Sequence, residues 1–229
     1  MKKIRIIDYG CGNLLSLVRA IEFIGYEGEI TSDSKKILNS THVILPGVGS
    51  FGNAMQKLEE YNLVPTILEY AKSNKPLLGI CLGMQVLFTL GNEFGTYTGL
   101  DLIKGDVIKM ESSKNSKIRI PHIGWNEIYP TNKKKGWESK ILNQNLAGKS
   151  FYFVHSYIGL AKNPNETIAT CNYEGITIPS VVASKNIFGC QFHPEKSGKN
   201  GLLVLKNFCD ILIWKIKIQK KIKKLEWVF

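Results

Sequence analysis

Short apolar runs that end in glycine-rich turns, each followed by a segment with helical periodicity, dominate the first half of this sequence. Lys3–Ile7 is such a run, and an amphipathic helix is predicted over residues 14–24, with Gly25 after its end. The runs His42–Leu45 and 76–80 repeat the pattern. Strands that alternate with helices at this pace are typical of βαβ units, and they predict a mainly parallel sheet.

The second half of the sequence has short apolar runs with few helical segments between them. Five of these runs predict strands, at residues 106–110, 150–155, 167–171, 180–184 and 187–192. We therefore expect one α/β domain in which a mainly parallel central sheet, flanked by helices, carries an antiparallel extension. No apolar run approaches the roughly 20 residues of a membrane span. No secretory signal is evident, so a cytoplasmic location is predicted.

Composition narrows the class of protein further. Hydrophobic residues make up 44% of the 229 residues and charged residues 21%, which excludes collagen-like, coiled-coil and wholly disordered chains. The five cysteines are irregularly spaced and form no CxxC motif. Neither a zinc site nor a redox dithiol is therefore predicted.

Positive charge is concentrated at the C-terminus. The formal net charge is +11, and residues 213–229 hold six lysines against one glutamate. Apolar residues recur there every three or four positions, close to the helical period of about 3.6. We predict a domain over 1–212 and a basic amphipathic helical extension over 213–229, which packs on its own domain or docks on a partner or an anionic surface. No aromatic-rich basic platform accompanies the lysines, so no nucleic-acid partner is predicted.

A cysteine flanked by glycines stands at the end of a predicted buried strand, in the sequence PLLGICLGMQ. Gly79, Cys81 and Gly83 fit the G-x-nucleophile-x-G pattern of a nucleophile elbow, whose sharp turn leaves no room for neighbouring side chains. A helix predicted over 83–90 would begin directly after the cysteine and favour its thiolate. Cys81 is therefore a candidate nucleophile, although an inert buried cysteine fits the same short pattern.

A candidate base follows another predicted strand, in the sequence QFHPE. Pro194 fixes the backbone between His193 and Glu195, so the carboxylate can orient the imidazole as in a nucleophile–base–orienter triad. The loop PGVG at 46–49 has glycines that leave backbone N–H groups unhindered, as an oxyanion site requires. Taken alone, the segment HPE is better explained as a surface loop, and the segment PGVG is explained equally well as an ordinary turn.

Together, PGVGSFG, GICLGMQ and QFHPEKSG resemble class I glutamine amidotransferases in their order and spacing, up to about residue 212. The segments IIDYGCGN, PHIGWN, FYFVHSY and PEKSGKNGLLVLKNF resemble more specifically the glutaminase subunits of imidazole glycerol phosphate synthases. The resemblance implies the fold of that class, with a flavodoxin-like core. The segment GNEFG at 91–95 departs from the more usual acidic run of the family.

The resemblance also implies the chemistry. Cys81 would attack the side-chain amide of glutamine, His193 would act as general base and acid, and Glu195 would orient it. Ammonia would leave first, and water would then release glutamate from a thioester. Such a triad needs neither a metal nor an organic cofactor, so none is expected.

Further residues take family roles by the same resemblance. Backbone N–H groups of Leu82 and of Val48 or Gly49 would form the oxyanion hole, after a partner-induced rearrangement of the PGVG loop. Glutamine would be held by Gly49, Gln85, Glu93, Ser156 and Tyr157. The subunit interface and the ammonia exit would be lined by Asn13, Trp125, Tyr152, His155 and Lys196.

The implied partner is a (β/α)₈-barrel cyclase subunit in a heterodimer. It would receive the ammonia and make imidazole glycerol phosphate and an aminoimidazole carboxamide ribotide in histidine biosynthesis. Two alternatives remain. A paralogous glutaminase would supply ammonia to a sugar amidotransferase that forms acetamidino groups in surface polysaccharide, and a catalytically silent scaffold would keep the fold without turnover.

Overall fold

Two sheets organise the chain in the computed structural model, which describes residues 3–111, 118–132, 136–137 and 139–211. The strands are β1 Lys3–Ile7, β2 Glu27–Thr31, β3 His42–Leu45, β4 Leu77–Ile80, β5 Phe88–Gly91, β6 Tyr97–Thr98, β7 Ile103–Lys109, β8 His122–Pro130, β9 Lys149–His155, β10 Tyr157–Ala161, β11 Thr167–Tyr173, β12 Ile176–Ser184 and β13 Ile187–Cys190. The helices are α1 Leu14–Phe23, α2 Ser34–Asn39, α3 Phe51–Glu60, α4 Leu63–Lys72, α5 Leu82–Gln85 and α6 Gly198–Asp210. The extension predicted at 213–229 lies outside the described residues.

The larger sheet has nine strands in the order β2-β1-β3-β4-β13-β12-β11-β8-β9. Its first five strands are parallel, and β12, β11, β8 and β9 continue it in antiparallel pairs. This confirms the predicted mainly parallel sheet with an antiparallel extension. At its centre, β4 and β13 lie side by side with Gly79 opposite Gly189 and Ile80 opposite Cys190. The segments that follow these two strands therefore emerge together at one edge of the sheet.

Apolar side chains cover both faces of the parallel strands. On one face Ile4 and Ile6 pack in a cluster with buried residues of α1 and α6, and on the other Ile7 packs with buried residues of α2, α3 and α4. Strands β3 and β4 are buried along their whole length. Continuous burial of this kind is expected for parallel strands with helices on both faces. No helix among the described residues is long and apolar enough to cross a membrane.

A second, four-stranded sheet in the order β10-β7-β5-β6 was not predicted. The helix expected over 83–90 is wrong for most of its length, because α5 ends at Gln85 and Phe88–Gly91 pairs with β7 as a strand. Phe88 is fully buried there. A short apolar run that is buried on all sides carries no periodicity to separate helix from strand, and pairing with a distant strand decides its conformation.

Candidate active site

Cys81 occupies a strained turn between β4 and α5. Its φ of 54° and ψ of −112° lie in a region that residues other than glycine rarely adopt. Its N–H donates to the carbonyl of Cys190 over 2.7 Å, and its own carbonyl accepts from Met84 and Gln85. These three backbone hydrogen bonds hold the turn in place.

The glycines around Cys81 are required by close backbone contacts. A Cβ on Gly79 would lie 2.5 Å from the carbonyl oxygen of Gly83, and a Cβ on Gly83 would lie 1.8 Å from that of Leu45. Neither position has room for a side chain. The structure therefore has the strand–turn–helix geometry that the elbow pattern predicted.

His193 and Glu195 form a buried pair in the turn after β13. Nδ1 of His193 lies 2.8 Å from Oε1 of Glu195, and their side chains are 4% and 5% exposed. The backbone N–H of His193 donates to Tyr152, and the hydroxyl of Ser197 donates to the carbonyl of His193. The imidazole is thus held from both its backbone and its Nδ1 side.

The other ring nitrogen of His193 is available to the thiol. Among the described residues, this buried Nε2 has no well-aligned hydrogen-bond partner, and His193 lines the same cavity as Cys81. Burial opposes a charge on the imidazole, but the Cys81 thiolate and the Glu195 carboxylate outweigh it and raise the pKa of His193 to about 10. The arrangement favours an imidazolium in the cavity that Cys81 lines, which is the environment of a reactive cysteine nucleophile.

A cavity of about 310 Å³ opens beside Cys81. Its size falls at the lower end of the roughly 300–1,000 Å³ range typical of small-molecule sites. All seven residues predicted for the oxyanion hole or for glutamine binding line this cavity: Val48, Gly49, Leu82, Gln85, Glu93, Ser156 and Tyr157. These residues come from four separate segments of the chain, which meet at this one cavity.

Glu93 lines this cavity despite the unusual sequence around it. Its Oε2 accepts a hydrogen bond of 2.7 Å from the N–H of Phe51, the first residue of α3. A carboxylate is stable at this position because helix N-termini have unpaired N–H groups and a positive dipole end. The departure from the family pattern at 91–95 therefore leaves a carboxylate at the cavity wall.

The loop 46–49 is anchored by a residue that the sequence did not reveal. The buried hydroxyl of Tyr9 donates to the carbonyl of Pro46 over 2.8 Å, and burial raises the pKa of Tyr9, so it stays a donor. A Cβ on Gly47 would lie 2.5 Å from that hydroxyl. Gly49 adopts a φ of +109°, which favours glycine. The loop is therefore held at Pro46, whereas its backbone at Gly49 can adopt conformations that other residues disfavour.

Gln191 is a second site residue that sequence reasoning missed. It is fully buried, accepts a hydrogen bond from Gln85 over 3.2 Å, and places its amide nitrogen 3.9 Å from Sγ of Cys81. A signal existed in the sequence, because Gln191 stands two residues before His193 and side chains two apart on an extended chain share a face. Its amide links the nucleophile turn to the cavity wall.

The five residues predicted at the interface and the ammonia exit divide into two groups. Asn13 and Lys196 are exposed, and Trp125, 56% exposed, lies opposite Tyr152 on the neighbouring strand with 6.0 Å between ring centroids. His155 is instead buried, 6% exposed, and lines the cavity itself. Asn13, Trp125 and Lys196 are thus exposed, Tyr152 is half-buried, and His155 belongs to the lining of the cavity.

Known proteins resemble the chain over nearly its whole length. The family Glutamine amidotransferase class-I matches residues 5–212. Imidazole glycerol phosphate synthase subunit HisH 1 of Legionella pneumophila (strain Paris) is 41% identical over 213 residues, which cover 92% of this chain and 100% of the relative. Subunit HisH of Bacillus cereus (strain ATCC 14579) is 46% identical over 213 residues, which cover 93% of this chain and 97% of the relative.

Solved structures with lower identity share the fold. PurLQS from Thermotoga maritima matches with a TM-score of 0.67 and 18% identity, over 92% of this chain and 99% of that one. The glutaminase domain of CTPS from Trypanosoma brucei, with bound acivicin, matches with a TM-score of 0.58 and 15% identity, over 92% and 94% of the two chains.

Proposed function

Since this chain belongs to the class I glutamine amidotransferase family and, within it, to the HisH subunits of imidazole glycerol phosphate synthase, we propose that its cavity hydrolyses glutamine and supplies ammonia to a cyclase subunit. One observation carries the proposal. The buried pair of His193 and Glu195 has its orienting hydrogen bond at 2.8 Å and its other ring nitrogen unpaired beside Cys81. This is the geometry of a nucleophile, a base and an orienter.

The reaction proceeds through a thioester. The Cys81 thiolate forms a bond to the side-chain carbonyl carbon of glutamine, and the carbonyl oxygen takes the negative charge. The imidazolium of His193 gives its proton to the amide nitrogen, ammonia leaves, and a γ-glutamyl thioester remains. Water then gives a proton to His193 while its oxygen attacks the thioester, and glutamate leaves as the Cys81 thiolate reforms. Glu195 stabilises the imidazolium in both halves.

Backbone groups of two segments stabilise the oxyanion in this proposal. The N–H of Leu82 belongs to the nucleophile turn, and that of Val48 or Gly49 belongs to the glycine loop at the cavity wall. A change in the peptide between Val48 and Gly49 would aim its N–H into the cavity. The positive φ of Gly49 makes that change inexpensive, and the hydrogen bond from Tyr9 keeps the start of the loop in place.

Glutamine is oriented by the opposite wall of the cavity. The Glu93 carboxylate would pair with its α-ammonium, as a buried charge-assisted contact. Gln85, Gly49 and the backbone of Ser156 and Tyr157 provide further polar groups at the same wall. A free α-ammonium would then have a charged partner, which favours free glutamine over a peptide-bound side chain.

The proposed partner is a (β/α)₈-barrel cyclase subunit that makes imidazole glycerol phosphate and an aminoimidazole carboxamide ribotide. Exposed apolar side chains near the cavity, Val48, Ile123 and Trp125, offer a surface for it. The relatives reported above carry the name of the synthase, and none supports the sugar-amidating alternative. A cytoplasmic location, the absence of a nucleic-acid partner and the helix at 213–229 stay predictions.

Glutamate release with and without the cyclase subunit and its ribotide ligand tests the proposal. We expect feeble turnover alone, strong stimulation by the complex, and no turnover by Cys81→Ala. Cys11→Ala is the matched control, because that thiol is also nearly buried but is absent from the cavity lining. Full activity of Cys81→Ala would refute the triad. A cyclase that neither binds nor stimulates would refute the partner and leave the glutaminase intact.

A further inference from the structure

Two buried histidines take no part in the mechanism above and lie side by side at the cavity. His122 begins β8 and His155 ends β9, and the two residues are direct partners across the antiparallel pair. Nδ1 of His122 lies 3.1 Å from Nε2 of His155. His155 lines the cavity, whereas His122 lies behind it with no exposed surface. The pair therefore connects the cavity wall to the interior of the antiparallel extension.

Each outer nitrogen of the pair faces an oxygen. Nδ1 of His155 lies 2.9 Å from the carbonyl oxygen of Tyr157, and Nε2 of His122 lies 3.0 Å from Oδ1 of Asn126. The orientation of the Asn126 amide is settled by chemistry, because its nitrogen donates over 2.8 Å to the carbonyl of Asn172, which can only accept. Both ends of this chain of contacts are thus acceptors.

Counting hydrogens shows that two neutral rings cannot satisfy the chain. Each of the three contacts needs one hydrogen. The contacts join Tyr157 to His155, His155 to His122, and His122 to Asn126. Two neutral imidazoles carry only two N–H groups between them. With both rings neutral, one contact of about 3 Å therefore sets two lone pairs face to face. A third hydrogen satisfies every contact and gives the pair one positive charge.

The surroundings place that hydrogen on His122. Burial lowers the pKa of His155 to about 3, so this ring stays neutral and accepts from its neighbour. Burial also lowers the pKa of His122, and the hydrogen bond to Asn126 and the carboxylate of Glu174 offset this lowering only in part. The ring of His122 is stacked between those of Phe153 and Tyr173, at centroid distances of 4.8 and 4.0 Å. Aromatic faces attract a cation.

The other charged groups around the pair act in both directions. On the cavity side, a charge on His193 opposes one on His155, and Glu195 lies beyond His193. On the far side, Arg119 donates its backbone N–H to Glu174, so its positive side chain is near the carboxylate that favours His122. Because these charges oppose one another, the neutral and protonated forms of the pair are close in free energy. An added negative charge in the cavity would therefore favour the protonated form.

We propose that the His122–His155 pair is a one-proton site, and that it takes up its proton from solvent when the carboxylate of glutamine enters the cavity. The inference rests on the proposed function and extends it, because it assigns the counter-charge of the substrate carboxylate to a pair that the chemistry does not consume. Glu93 would match one end of the amino acid and the protonated pair the other. His122 and His155 are positioning residues in this proposal.

Isothermal titration calorimetry with glutamine tests the proposal. The sample is the full chain in complex with the cyclase subunit, and it carries Cys81→Ala so that glutamine is not turned over. Heats measured in two buffers of different ionisation enthalpy give the number of protons taken up. We expect uptake to approach one proton per glutamine above the pKa of His122 in the empty protein, and to vanish below it. Between that pKa and the higher pKa of the complex, affinity should fall tenfold per pH unit, and above the pKa of the complex both the uptake and the fall should cease.

Two variants identify the proton's position. Asn126→Asp puts a carboxylate beside Nε2 of His122 and keeps the shape of the side chain, so the proton is present before glutamine binds and the uptake disappears. His122→Phe keeps a ring between Phe153 and Tyr173 and removes the site, so uptake again disappears and binding weakens. Tyr129→Phe, on the same strand and exposed, should keep the uptake of the parent.

Three results would overturn the proposal. Glutamine binding without uptake between pH 6 and 8 would leave the proposed function intact and refute the one-proton site. Uptake that persists in both Asn126→Asp and His122→Phe would assign the proton to His193. Failure of the parent to bind glutamine at all would refute the proposed function, and this inference with it.

Discussion

Replacing Glu195 with glutamine is the most direct perturbation of the proposed triad, because it removes a charge and leaves the shape of the side chain. The hydrogen bond from His193 is 2.8 Å long, and both side chains are about 95% shielded from solvent. A hydrogen bond to a charged group contributes about 1.5–3 kcal/mol. Since about 1.36 kcal/mol corresponds to a factor of ten in rate, kcat should fall roughly 10- to 150-fold. Because Glu195 does not line the glutamine cavity, KM should change little.

The pH profile gives the same variant a second signature. The carboxylate raises the pKa of His193, so its loss lowers that pKa and the imidazolium is deprotonated at a lower pH. The alkaline limb of kcat should therefore move to lower pH when glutamate release is measured with the cyclase present. Glu59→Gln, an exposed carboxylate on α3, is the matched control and should behave as the parent. A kcat within threefold of the parent, or an alkaline limb that stays in place, would refute this account of Glu195.

Three further substitutions have separate readouts. Gly83→Ala forces a Cβ to within 1.8 Å of the Leu45 carbonyl, so it should lower the free energy of unfolding in urea by about 1–3 kcal/mol or more; an unchanged midpoint would contradict the close packing. Glu93→Gln should raise KM for glutamine roughly tenfold with little change in kcat, and a loss confined to kcat would exclude substrate binding as its role. His155 has a pKa of about 3 in the folded chain against 6.5 as its ordinary value, so the unfolded chain binds more protons between these values. Stability should therefore fall as pH drops from about 6.5 toward 3, and His155→Phe should make that fall shallower in urea titrations; an equal slope would show that His155 is not the group that titrates.

The sequence predicted the parts of the fold that depend on local pattern. Runs such as His42–Leu45 are mostly apolar because both faces of a parallel strand are covered, and the structure confirms this run as a strand that is buried throughout. The glycines at 79 and 83 signalled a close approach of backbones, which the structure shows. These signals lie within a few residues of the feature that they predict.

Features that depend on distant partners could not be predicted in this way. The strand Phe88–Gly91 is apolar enough for either a helix or a strand, and its pairing with β7 decides the outcome. Tyr9 reaches the loop at 46–49 from another strand, so local pattern does not mark its role. Gln191 stands two residues before His193, and only its contact with Gln85 shows that it belongs to the site. His155 was expected to line the interface or the ammonia exit, and its burial at the cavity wall follows from its pairing with His122, which local pattern does not encode. The triad residues were predictable because the motif itself encodes their chemistry.

The side-by-side pairing of β4 and β13 has a consequence for how the protein acquires activity. Cys81 lies 110 positions before Gln191, which belongs to the segment that leads to His193. All strands of the antiparallel extension are synthesised between these two residues. Parallel neighbours so far apart in sequence are slow to meet, because a long loop must close first. Enzymatic turnover should therefore be among the last properties to return during refolding. The rate at which it recovers would report when β4 and β13 pair.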